Sequence, residues 1–288
     1  MNIDKLLAKP GEKISLKNFE SNYVGDYDKK SAKKVLEENK KELAEIQEMF
    51  WADDRYSLLI VLQAPDAAGK DGAIRHVMSG VNPQGCKVNS FKTPSKEELD
   101  HNYLWRHYKV LPERGQIGIF NRSHYENVLI TKVHPEYILN EKLPGIDSVE
   151  KITDKFWQKR YRQINDFERE ISENGTHILK FFLNLSKQEQ KKRFLSRLNE
   201  PDKNWKFSSA DIKEREHWDK YQKVYEDMLS ATSTEYAPWY IIPADHKWFS
   251  RMAIGKIIVR KLQSLDLRFP LPENPDKLEA AKKSLESE

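Results

Sequence analysis

The sequence predicts an α/β fold, with a parallel β-sheet covered by helices on both faces. Short apolar, β-rich runs alternate with helical patterns along the chain. The first of these runs feeds a tight loop, Ala64–Lys70, that opens directly into a helix. Twelve Tyr, twelve Phe and seven Trp in 288 residues supply bulk for one sizeable core.

In chain order, residues 1–30 read as irregular, interrupted by Pro10, Gly11 and Gly25. Asp28–Phe50 is rich in helix formers, with apolar residues at Val35, Leu36, Leu43, Ile46 and Phe50. The expected strands are Ser57–Ala64, Cys86–Phe91, Ile117–Arg122, His177–Leu185 and Trp239–Pro243. The expected helices between them are Gly69–Ser79, Ser95–Val110, His124–Val133, Ser148–Asn174 and Lys187–Glu200. A long charged segment, Ser208–Thr232, precedes the last strand, with Trp218, Tyr221, Tyr225 and Met228 on one helical face. An insertion there suits a mobile lid. The expected organisation is an N-terminal arm and helix (1–55), a core (56–270) with a lid at about 201–235, and a charged, Pro-broken tail (271–288).

Charged residues make up 33% of the chain, which is polar but globular. With 49 basic against 45 acidic residues, net charge does not call for nucleic acid. An anion site must therefore be a local gathering of Lys and Arg. The lone cysteine, Cys86, cannot form an internal disulfide and reads as a packing residue. The first residues lack the apolar run of a signal peptide, and no stretch reaches membrane-span length. A soluble, cytoplasmic protein without a membrane partner is the expectation.

The sharpest feature is LLIVLQAPDAAGKDGAIRHV. A strand, a loop and a helix in that order are what a phosphate loop needs, since backbone N–H groups and the helix N-terminus form an anion cradle. Ala67, Ala68, Gly69, Asp71 and Gly72 would line it, and Lys70 would add a point charge. The general pattern is G-x-x-x-x-G-K-[ST]. Here Ala64 stands at the first Gly and Asp71 at the final hydroxyl. Asp66 sits among the amides, where it would repel phosphate unless a cation intervened, so it is a candidate Mg2+ ligand. The plainer alternative is an ordinary turn capped by Asp66.

IGIFNRSHYENV reads as a strand ending in polar groups, where open parallel sheets bind ligands. Asn121 stands where an Asp usually supports the metal, so its metal contact is doubtful. Arg122 could clamp phosphate. Glu126 could face the acceptor, or simply be a solvated helix residue. Arg75, Lys92, Arg106, Arg114, Lys132, Arg160, Arg193, Arg197, Lys203 and Lys206 recur near strand ends and before the lid. Singly they read as surface charges; together they exceed what one triphosphate needs and suit a long anion.

QAPDAAGKDG, FKTPSKEELDHNYLWR, FNRSHYE and EREHWDKYQKVYEDML, in this order, resemble the polyphosphate kinase 2 family from about Phe19 to Phe269. The resemblance implies a P-loop, thymidylate kinase-like, three-layer sandwich with a five-stranded parallel sheet and a helical lid. It implies reversible, Mg2+-dependent transfer of the terminal phosphoryl group of inorganic polyphosphate to nucleotides, with Mn2+ able to substitute. Asp66, Lys70 and Arg122 match the family's essential loop Asp, loop Lys and strand-end Arg. Asn121 and His124-Tyr125-Glu126 are similar to the subgroup called class III, which accepts nucleoside mono- and diphosphates. Arg75, Lys92, Arg106 and Arg193 are then expected at the phosphates, and Arg160, Arg197, Lys203 and Lys206 along a polyphosphate channel. A homodimer or homotetramer is expected. The rival readings are an ATP-dependent nucleoside or nucleotide kinase and a non-catalytic polyphosphate- or nucleotide-binding module.

Overall fold

The computed structural model describes residues 1–272 and 274–288; the side chain of Lys206 also lies outside the described set. The strands are β1 (Leu7–Ala8), β2 (Ser57–Gln63), β3 (Cys86–Ser90), β4 (Ile117–Asn121), β5 (Thr176–Asn184) and β6 (Trp239–Pro243). They form one sheet in the order β1-β6-β5-β2-β4-β3. β2 to β6 run parallel, and β1 pairs antiparallel to β6. The five expected parallel strands are therefore joined by a sixth. Two residues beside Pro10 and Gly11 are too few to show a strand period, so the sequence of this segment reads as irregular chain.

Helices cover both faces. β2 shows how: Leu58, Ile60 and Leu62 belong to one apolar core, while Leu59 and Val61 belong to the other. This is the two-residue alternation of a strand buried on both sides. The first core packs beneath α1 (Lys29–Asp53), α2 (Lys70–Val77) and a later helix, Lys247–Gln263. Asp28 and Ser31 form a reciprocal capping box at the start of α1. Its buried residues recur at Ala32, Leu36, Asn39, Leu43, Gln47 and Phe50. This stripe lies against the later helix.

The expected helix over Ser95–Val110 is two short ones, α3 (Lys96–Leu99) and α4 (Trp105–Tyr108). The Asn102 side chain accepts from the Leu104 N–H at 2.9 Å, a local turn that competes with helix. The expected His124–Val133 helix is likewise a 3-10 turn, His124–Asn127, followed by α5 (Ile130–Val133). The second core packs beneath α6 (Asp154–Glu173), and α7 (Lys187–Asn199) follows β5. The segment expected as a lid divides at His217 into α8 (Ser209–Glu216) and α9 (Trp218–Thr232). α8 buries no residue, whereas α9 sinks Val224, Tyr225, Met228 and Leu229 into the second core. α10 (Lys247–Gln263) has apolar residues on nearly every side, so it lacks the amphipathic period that marks a surface helix. α11 (Pro275–Glu286) is helical in the tail and exposed throughout. Among the described residues no helix is long and apolar enough to cross a membrane.

A charged cluster lies inside the second layer. Lys180 of β5 donates to Glu168 of α6 at 2.5 Å, to the Tyr125 hydroxyl at 2.8 Å and to the Thr232 carbonyl at 2.7 Å. Glu168 also accepts from Tyr125 at 2.7 Å, and His124 lies 3.1 Å from it. Lys180, Glu168 and His124 are fully buried. Lys180→Met leaves the Glu168 carboxylate buried without its cation, at a cost of about 3–5 kcal/mol. The expected result is a lower urea midpoint with an unchanged slope, partly recovered by adding Glu168→Gln. An unmoved midpoint in the single variant would refute the assignment.

Candidate active site

β2 and β4 are neighbours in parallel register, with Leu62 opposite Asn121. Their carboxyl ends therefore deliver the 64–70 loop and residues 121–123 to the same place. Two further links fix them: the Arg122 N–H donates to the Leu62 carbonyl at 3.1 Å, and Gln63 Nε2 donates to Ser123 Oγ at 3.0 Å.

The loop turns through Ala67 at φ +61° and Gly69 at φ +107°. The second value suits glycine, which has no Cβ to clash. Arg122 also sits at φ +62°, a strained conformation for a residue with a side chain. The first α2 backbone bond to a carbonyl at its start runs from Ala73 N–H to Gly69 O at 2.9 Å. The N–H groups of Lys70, Asp71 and Gly72 therefore have no acceptor within the helix and open from its end. Lys70 folds back, its Nζ donating to the Ala64 carbonyl at 3.0 Å. Burial lowers its pKa, and the Arg122 charge lowers it further, against Asp66, Glu126 and Asp71.

Helix α7 holds the outside of the loop. Gln190 Nε2 donates to the Asp66 carbonyl at 3.0 Å. Arg193 Nη1 donates to the carbonyls of Ala67 and Ala68 at 3.1 and 2.8 Å. Its Nη2 reaches the carbonyls of Ala244 and Asp245, and its Nε reaches Glu189. Arg193 is buried and all three of its nitrogens are engaged by protein. Arg193, expected at the phosphates, is placed against four carbonyls from two segments and the Glu189 carboxylate, and it ties the loop to the end of β6.

Arg122 Nη2 donates to Asp66 Oδ1 at 3.2 Å, and both side chains remain partly open to solvent. Arg122, Glu126 and Ile130 form the wall between two cavities. One, of about 340 Å³, is lined by Phe91, Lys92, Tyr103, Arg106 and Tyr137. Arg106 is buried there, donating to the Lys92 carbonyl at 2.9 Å. The other, of about 250 Å³, holds Asp66 on the loop side and Asp211, Arg215 and Tyr225 on the lid side. Burial and then the Asp66 charge raise the Asp211 carboxyl above its ordinary range. Burial likewise raises Glu126, against the pull of Arg122 and Lys70. Arg215 Nη1 of α8 donates to Gln190 Oε1 at 2.6 Å, so one side-chain amide joins the lid to the loop.

Of the residues expected along a channel, Arg197 and Lys203 lie near each other, on α7 and the turn that follows it, and Arg160 stands apart. Arg160 pairs with Glu141, stacks over Tyr103 and lines a separate cavity that contains no loop residue. Arg197 pairs with Asp211 at 3.3 Å, and Lys203 pairs with Glu200. The Lys206 side chain lies outside the described residues. A different cationic group flanks α2. Arg251 of α10 has its pKa lowered by burial and by the charges of Arg75 and Arg193. Lys247, one turn earlier, is lowered by burial and by Arg193 and Arg251. Arg75, Lys247 and Arg251 form no ion pair among the described residues. Sequence reasoning missed Lys247 and Arg251. Their four-residue spacing directly after the last strand was the available signal.

A divalent cation would find oxygen donors here. Asp66 and Asp71 bring carboxylates, and Asn121 Oδ1 is buried with no hydrogen-bond partner. An orphaned acceptor beside a carboxylate fits a hydrated cation. The structural assignment of Arg193 carries its own check. Arg193→Ala is expected to cost about 3 kcal/mol or more, because buried carbonyls lose a charged donor. Arg122→Ala, at a partly exposed side chain, should stay within about 1 kcal/mol. Calorimetric melting of both variants decides; equal losses would contradict the distinction.

A family model described as Polyphosphate kinase 2 (PPK2) matches residues 26–270. A Rhodopseudomonas palustris protein named ADP-polyphosphate phosphotransferase is 48% identical over 261 residues, covering 90% of this chain and 89% of the relative. A Meiothermus ruber protein named AMP/ADP-polyphosphate phosphotransferase is 41% identical, covering 93% and 96%. The crystal structure of polyphosphate kinase 2 from Arthrobacter aurescens superposes with a TM-score of 0.86 at 37% identity, covering 97% of this chain and 98% of that one. The P-loop kinase-like fold, the ordered motifs and these matches agree: the chain belongs to the polyphosphate kinase 2 family.

Proposed function

We propose that this enzyme transfers phosphoryl groups between inorganic polyphosphate and nucleotides, with nucleoside diphosphates and monophosphates as acceptors. The observation that carries the reading is Arg122 standing between two cavities beside a phosphate loop, with cations that have no ion pair among the described residues beside the following helix. The R. palustris relative's name supports a diphosphate acceptor, and the M. ruber relative's name supports both. The apolar and aromatic lining of the 340 Å³ cavity suits a nucleoside, with Arg106 and Lys92 near its phosphates. The cations Arg75, Lys247 and Arg251 suit a long polyanion.

Phosphoryl transfer demands alignment and charge neutralisation more than covalent chemistry. Lys70 and the N–H groups at the α2 terminus hold the phosphates that flank the transferring group. Arg122 reaches into both cavities and offsets charge on the shared phosphoryl oxygens. Glu126, in the same wall as Arg122, is placed to face the acceptor. α8 covers the lid-side cavity and excludes water that would hydrolyse the donor. A loop carboxylate would hold Mg2+, or Mn2+ in its place, and the cation would supply charge neutralisation to the phosphates.

The deciding experiment incubates the protein with Mg2+ and polyphosphate as the only phosphate source, against AMP, ADP, GMP and GDP, with products resolved by chromatography. ATP from ADP is the expected product; none would refute the reading. Lys70→Ala should lower turnover by roughly 100-fold or more.

The double variant Lys247→Ala/Arg251→Ala tests the cationic group. It should raise the KM for long polyphosphate by about tenfold and flatten its salt dependence, with the nucleotide KM little changed. An unchanged polyphosphate KM would remove these residues from the donor path.

A further inference from the structure

Two departures from the usual phosphate loop touch each other. In the general pattern a Ser or Thr after the loop lysine lends its hydroxyl to the cation, and an Asp at the end of a neighbouring strand supports it. Here Asp71 follows Lys70, and Asn121 ends β4. Asn121 Nδ2 donates to Asp71 Oδ1 at 2.7 Å. Taken singly, each position is a loss: no hydroxyl on the loop, no charge on the strand. Taken as a pair, they keep one carboxylate and one neutral oxygen, with the same net charge of −1 that Asp and Ser or Thr would carry.

We propose that Asp71 and Asn121 together form the divalent-cation site, the carboxylate and the neutral oxygen having exchanged sides. An ionised carboxylate only accepts hydrogen bonds, so Asp71 fixes which end of the Asn121 amide faces it. The amide nitrogen points to Asp71, and the oxygen is left over. That oxygen is buried and has no partner, which costs about 1–3 kcal/mol unless a ligand supplies one. Asp71 lies in the first turn of α2, where its charge would repel the phosphates that the helix end attracts. A cation between them removes that conflict. Asp66 is differently placed, with one oxygen engaged by Arg122 and its side chain lining the lid-side cavity. Among the described residues no three His, Cys, Asp or Glu side chains converge as an all-protein cage would require. Mg2+ bound alongside phosphates needs only one or two carboxylates and keeps several waters.

The inference rests on the phosphate-transfer reading for its chemistry, but its test does not need turnover. Mn2+ alone is titrated by electron paramagnetic resonance into the wild type, Asp71→Asn, Asn121→Ala, Asp66→Asn and the exchange variant Asp71→Asn/Asn121→Asp. Asp71→Asn should weaken Mn2+ binding by about tenfold or more, and the exchange variant should return to within about threefold of wild type. Asn121→Ala should weaken it by at least about threefold, and Asp66→Asn by less than Asp71→Asn. Circular dichroism melts establish which variants fold. If Asp71→Asn does not fold, Asn121→Ala and the exchange variant carry the comparison. Asp71→Asn within about twofold of wild type, an exchange variant no tighter than that single variant, an unaffected Asn121→Ala, or a wild type that binds no Mn2+ each overturns the site. A wild type that binds Mn2+ through this pair yet forms no ATP from ADP keeps the site and defeats the proposed function. A wild type that forms ATP while its Mn2+ affinity ignores Asp71 does the reverse.

Discussion

The carbonyls of Asp66, Ala67 and Ala68 are tied to helix α7, and the site depends on that constraint. A phosphate loop works only if successive peptide units hold their N–H groups toward the anion. Their carbonyls must then be satisfied elsewhere. Gln190 and Arg193 do this from a helix that follows β5, on the far side of β2 from β4. The loop is thus gripped from outside by one neighbour and completed from inside by the other, through Asn121 and Arg122. Because the parallel register sets both, a slip of β2 against β4 by one residue would turn Asn121 to the wrong face.

Much of this was legible in the sequence, for physical reasons that differ by element. The loop is contiguous, and its Gly-Lys pair follows an apolar strand, so local order carried the signal. Arg122 and Asn121 were placed because polar groups at the end of a parallel strand face the ligand side. The core strands announced themselves through unbroken apolar runs. Other features depend on distant partners. Arg193 has the composition of a phosphate ligand, and only the carbonyls gathered around it reveal a structural tie. Lys247 and Arg251 were hidden because α10 is apolar on most sides and shows no period. α9 looked like part of a charged lid, yet its apolar face lies in the core. Lys180 sat unnoticed in a strand, since its carboxylate partner comes from α6.

Charge in the site is arranged by separation rather than by sum. Carboxylates cluster on the side of the loop facing β4 and the lid, while cations with no ion pair among the described residues collect beside α2 and α10. Each field is unfavourable until a partner of opposite sign arrives. Behind the loop, the Glu168–Lys180 cluster holds His124 and Tyr125, which lie between Arg122 and Glu126 in the turn that follows β4. Buried ion pairs give little stability against apolar packing, so geometric definition of that turn is the clearer return.

The short strand β1 bears on how the chain is made. Leu7 pairs with Tyr240, so a segment synthesised early docks against one synthesised much later. Until β6 emerges, the N-terminal arm has no edge to join, and the sheet margin at β6 cannot be closed. Sealing of that margin therefore waits for β6, and a nascent chain that still lacks β6 carries β1 unpaired.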